Sequence, residues 1–174
     1  MSRHTIEYRD YAGPVQSDLN ETLVRELTEP LIADLSPAEQ GELFDLLSEA
    51  HFAHPEAYTR RDRTNDPLAF GLPELTVLLT PVMLAAMNEA VRYVVASALA
   101  RGTRATANAI RRLFGHRGPD NPDTGDTLVL TDQQWSEIRR IVEQVARKGG
   151  VAADQAEVIA DAVIGRGASG RTAS

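Results

Sequence analysis

Between Glu74 and Glu89 the chain carries no charged residue, and from Ala90 to Pro119 it carries six arginines and no acid, although its formal net charge is -7. No other feature restricts the fold as much. The apolar part needs either a cover of other helices or an apolar phase outside the chain, and the basic part needs an anionic neighbour. With six of the 18 basic residues in this segment, the rest of the chain sets 12 bases against 25 acids. Either the two parts neutralise each other or the basic part meets something anionic.

The spacing predicts one long helix over about 82–114. On a wheel of about 100° per residue, Leu84, Met87, Val91, Val94, Val95, Ala98, Gly102, Ala105, Ala109 and Leu113 form a single apolar stripe. Arg104 and Arg111 lie opposite it, Arg92 and Arg101 on its flanks and Arg112 at its margin. The first half is apolar nearly all round, because its back is Ala85, Ala86, Ala90, Ala96 and Ala100. That pattern suits a central buried helix or a membrane segment.

The remaining helix signals are local. Ser17 reads as an N-cap for a helix over about 18–28, which Pro30 breaks or kinks. Ser36, Pro37 and Glu39 read as N-cap, first helical position and capping-box partner of a helix over about 37–54, ended by Pro55. Residues 55–72 read as a surface loop, and a short helix from Pro73 precedes the long one. Residues 115–127 have the composition of a flexible linker. Beyond them Thr131 and Gln134 form a capping box, Leu130 and Trp135 a hydrophobic staple, and Gly149-Gly150 a terminator for a helix ending at Lys148.

A second helix, about 153–164, turns Ala156, Ile159, Ala160 and Val163 toward Trp135, Ile138, Val142 and Val145, making an αα-hairpin. Two helices this short need a larger surface to dock on. The expected architecture is therefore all-α: a helical bundle around one long central helix, plus a C-terminal αα-hairpin. Along the chain it divides into an N-terminal helical domain (1–114), a linker (115–127), the hairpin (128–165) and a disordered tail (166–174). Strands have room only in segments such as 127–130 or 7–11.

Several chemistries find no support. There is no cysteine, so no disulfide framework, thiolate metal site or cysteine nucleophile. No nucleophile elbow, phosphate loop or dinucleotide fingerprint occurs. His51 and His54, at i and i+3 with Glu49 and Glu56 nearby, are weak candidates for a metal or a small metalloenzyme, since their spacing misses the Glu-x-x-His pattern of carboxylate-bridged sites. The acidic second helix of the hairpin (Asp154, Glu157, Asp161) argues against DNA binding. No cofactor and no small-molecule substrate is implied.

The first residues lack an apolar signal-peptide core, which favours a cytoplasmic location. The expected role is a non-enzymatic helical interaction or assembly module, with Arg92, Arg101, Arg104, Arg111 and Arg112 as contacts to a protein partner, a second copy or an anionic surface. Small residues four apart (Ala86 and Ala90, Ala96 and Ala100, Ala98 and Gly102) allow close helix approach. The alternative is a membrane-associated protein at the cytoplasmic face, using the apolar and basic helix over 75–114.

Overall fold

A computed structural model of the chain describes residues 14–54, 77–116 and 127–169. They form six α-helices and no strand: α1 Pro14–Leu35, α2 Glu42–Ala53, α3 Leu79–Ala100, α4 Ala107–Leu113, α5 Asp132–Lys148 and α6 Ala153–Ser169, with a 3₁₀ turn Pro37–Glu39 between α1 and α2. The all-α expectation holds. One apolar core runs through all six helices, built from leucine, valine, isoleucine, methionine and alanine, with Phe44, Phe114 and Trp135 its large aromatics.

The apolar helix α3 packs on α1, α2 and α5. Met83, Leu84, Met87, Val91 and Val94 are essentially inaccessible, and so are Ala86 and Ala90 on the far side of the wheel. Being apolar all round is thus explained by helices on several sides. Asn88 of α3 accepts a hydrogen bond from the Asn20 side-chain amide of α1 at 2.9 Å.

The helix expected over 82–114 is in fact two helices. Gly102 stands at φ +72, and the Gly102 and Thr103 amides donate back to Leu99 and Ala98 carbonyls, the 5→2 and 6→1 bonds of a Schellman ending. Thr106 then caps α4, its hydroxyl accepting from the Ala109 amide at 3.2 Å. A wheel drawn through this corner keeps its apolar stripe because Ala105 and Leu113 return to the same core by a different path.

Two other boundaries differ from expectation. α1 begins at Pro14, three residues before Ser17, and continues through Pro30 to Leu35. An internal proline costs about 3 kcal/mol, but Leu27 and Thr28 before it and Leu31 and Ile32 after it are all buried in the core, and that shared burial outweighs the lost bond. The helix expected over 37–54 is a 3₁₀ turn followed by α2, whose N-cap is Gly41 rather than Ser36. The reason is Glu39: its carboxylate does not return to the Ser36 amide but is taken by α3, as described below.

The hairpin forms as expected. Thr131 and Gln134 make the reciprocal capping box, Leu130 and Trp135 are both buried, and Ile138, Val142, Ala156, Ile159, Ala160 and Val163 interdigitate between α5 and α6. It docks on the rest of the core through the contact of α5 with α3. The Trp135 indole stands edge-on to Phe114, with ring centroids 6.1 Å apart. On another side it lies on Gly167, where an added Cβ would fall 2.3 Å from the ring. α6 runs past Ile164, the end expected from the sequence, as far as Ser169, and Gly167 in this extension packs on the ring. Residues 127–130 are not a strand, and 7–11 lie outside the described residues, as do the loop 55–72, Pro73 and most of the linker.

Two stability measurements test this packing. Gly102→Ala should lower stability by about 1 kcal/mol, through the left-handed conformation alone, with nothing near enough to clash. Gly167→Val should displace the single tryptophan, read as a red shift of its fluorescence and an earlier urea midpoint.

Candidate interaction surface

The site is built from the two ends of α3. At its N-terminus the Leu79 and Thr80 amides donate to the two oxygens of Glu39 at 2.8 and 2.7 Å, while the Ser36 hydroxyl donates to the first at 3.0 Å. The next position is Pro81, which has no amide proton to satisfy. A carboxylate 40 residues away in sequence therefore does what the α3 N-cap, Leu78, cannot. Burial raises the cost of charging Glu39, and the donors from Leu79, Thr80 and Ser36 outweigh it, holding its pKa below the usual 4.5.

At the C-terminal end the backbone turns at Gly102 and displays the acid-free basic segment. The five candidate arginines divide into two groups here. Arg111 is structural: its Nε donates to Glu26 of α1 at 2.7 Å and its Nη1 to Asn108 at 2.9 Å. Arg101 is a clasp, with Nη1 donating to the Val129 carbonyl at 3.2 Å and Nη2 to the Gln134 side chain at 2.6 Å. Arg92 is exposed and has only a solvated pair with Glu89 at 3.3 Å, worth little. Arg104 and Arg112 are exposed, with no ion pair among the described residues.

Apolar side chains share this corner. Leu99 is 64% exposed and Val129 69% exposed. Leu99 lies in the last turn of α3, and Val129 supplies the carbonyl that Arg101 holds at the end of the same helix. Neither was singled out from the sequence, although Leu99, well off the stripe centred on Val91, already carried the signal.

The acidic counterpart is α1 and α2. Residues 14–54 contain nine acids and one arginine. Some are used internally: Arg25 pairs with Asp45 at 2.9 Å, and Arg166 of α6 donates to the Pro30 carbonyl at 3.1 Å and to Asp34 at 2.5 Å. Within the hairpin, Arg139 bridges Glu143 and Asp161, and Arg140 pairs with Glu137. Glu42 and Glu49 on α2 are exposed, with no ion pair among the described residues, beside Leu46 at 63% exposure.

The two histidines do not form a site together. His51 is buried on the inner face of α2, edge-on to the Phe52 ring at 5.2 Å, whereas His54 is the exposed C-cap. Burial pushes the His51 pKa below 6.5. No group of three potential ligands occurs among the described residues, and Glu56 lies outside them. Among the same residues, α3 alone has the length and apolar character to cross a bilayer, and half of it is buried against other helices.

No protein-family description matches this chain, and no curated protein or solved structure matches it significantly.

Both buried titrating groups make the fold acid-sensitive in separate windows. Neutral His51 favours the folded state above pH 6.5, and that contribution is lost as pH falls toward its lower folded pKa. Ionised Glu39 contributes above pH 4.5 and loses its contribution as pH falls through its depressed value. In urea midpoints measured against pH, His51→Gln should flatten the upper window only. Glu39→Gln should flatten the lower one and cost about 1–2 kcal/mol at neutral pH.

Proposed function

We propose that the chain is a non-enzymatic helical interaction and assembly module whose contact surface is the corner between α3 and α4. The observation that carries this reading is the coincidence, in an acid-free segment, of exposed Leu99 with Arg104 and Arg112, neither of which has a counter-ion among the described residues, and of exposed Val129 on the stretch of chain that Arg101 holds. Exposed leucine and valine beside arginine form the kind of surface protein contacts use, with an apolar centre and a charged rim. The cover of α1, α2 and α5 over α3 supports this reading over a spanning helix, because lipid has no apolar face of α3's first half left to meet.

Light scattering on the detergent-free soluble fraction tests it. The expected result is a soluble species heavier than the 19.0 kDa single chain. Leu99→Asp should move it toward monomer without changing helix content by circular dichroism. Recovery only in a membrane pellet that resists high salt would overturn the reading in favour of the bilayer.

A further inference from the structure

Two exposed surfaces are opposite in charge and without ion pairs among the described residues. α2 turns Glu42 and Glu49 outward, with Leu46 between them in sequence and away from the buried Phe44, Ser48 and His51. At about 100° per residue, Leu46, Ala50, Leu43 and Leu47 continue from these acids as one apolar arc about 100° wide. After α3, whose last turn carries exposed Leu99, Arg104 in the connecting turn and Arg112 on α4 are exposed. Each surface therefore combines exposed leucine with charges of one sign that have no partner among the described residues.

The two lie at opposite ends of the same helix. α2 begins three residues after Glu39, which is bonded to the first two amides of α3, and the basic corner begins where α3 ends. Over 22 residues at about 1.5 Å each, α3 separates its ends by about 33 Å. One molecule cannot bring its own two surfaces together across that span.

We propose that the occupant of each surface is a second copy of this chain, the Glu42–Leu46–Glu49 face of one copy seating on the Leu99–Arg104–Arg112 corner of the next. This rests on the assembly reading above and names its geometry. Because the two patches differ, the contact is head-to-tail, and each added copy presents a fresh surface of either kind; such contacts close into a ring or extend as a chain. The matched charges set the register and repel the like pairings, acid face to acid face and corner to corner.

The test is a charge swap on the full chain. Arg104→Glu with Arg112→Glu gives a variant with both surfaces acidic; Glu42→Arg with Glu49→Arg gives one with both basic. Each alone should sediment as monomer, with the self-association constant weakened at least tenfold and helix content unchanged. Mixed in equal amounts they should assemble again, because every acidic face then finds a basic one. An oligomeric parent protein whose swapped variants both stay assembled overturns the head-to-tail contact and leaves the assembly reading standing. A parent protein that is monomeric at every concentration overturns both. So does a monomer that binds vesicles of anionic lipid through Arg104 and Arg112, which would assign the corner to a membrane surface.

Discussion

The carboxylate of Glu39 at the start of α3 is the constraint from which the rest of the arrangement follows. A helix buried from Thr80 onward cannot leave its leading amides without acceptors. Leu78, Leu79 and Pro81 offer no side-chain oxygen. The acceptor arrives instead from the turn between α1 and α2, so the contact ties both helices to the start of α3. It also explains why Pro37–Glu39 stays a 3₁₀ turn: had Glu39 closed a box with Ser36, α2 would start earlier and α3 would lose its cap.

At the other end of α3, Gly102 decides what the basic segment can do. A continuous helix to residue 114 would carry its arginines around a cylinder about 50 Å long, given about 1.5 Å per residue. The turn folds them back, sending Arg111 to Glu26 of α1 and Arg101 to the loop before the hairpin, while Arg104 and Arg112 stay at the surface. Internal neutralisation and external display are thus not alternatives. The same segment does both, and the backbone conformation of one residue sorts which arginine does which.

What could be read from the sequence follows the range of the interactions. The capping box at Thr131 and Gln134, the staple of Leu130 on Trp135 and the pairing of α5 with α6 rest on neighbours within a few turns, and the sequence pattern alone locates them. Pro30, Glu39 and Gly102 were misjudged because each is settled by distant residues. The core carries α1 past its proline, α3 takes the glutamate meant for a local cap, and α4 returns to the same core after a turn that the wheel could not see. Of the candidate surface, its basic character was legible from the six arginines. Its apolar members were not, since exposure of Leu99, Val129 and Leu46 depends on which neighbours happen to be absent.

Segregation of charge along the chain has a physical consequence beyond any one pair. Nine acids against one arginine in residues 14–54, and five arginines against no acid in residues 90–116, would give an extended chain two mutually attractive halves. Folding satisfies part of that attraction through Glu26 with Arg111, within a partly exposed setting where such a bond contributes modestly. Arg25 and Arg166 take Asp45 and Asp34, while α3 holds the start of α2 and the basic corner at its two ends. A rigid spacer of this kind keeps apart opposite charges that a flexible chain would bring together. The same uncharged helix that fills the core is, by its stiffness, what keeps those surfaces apart.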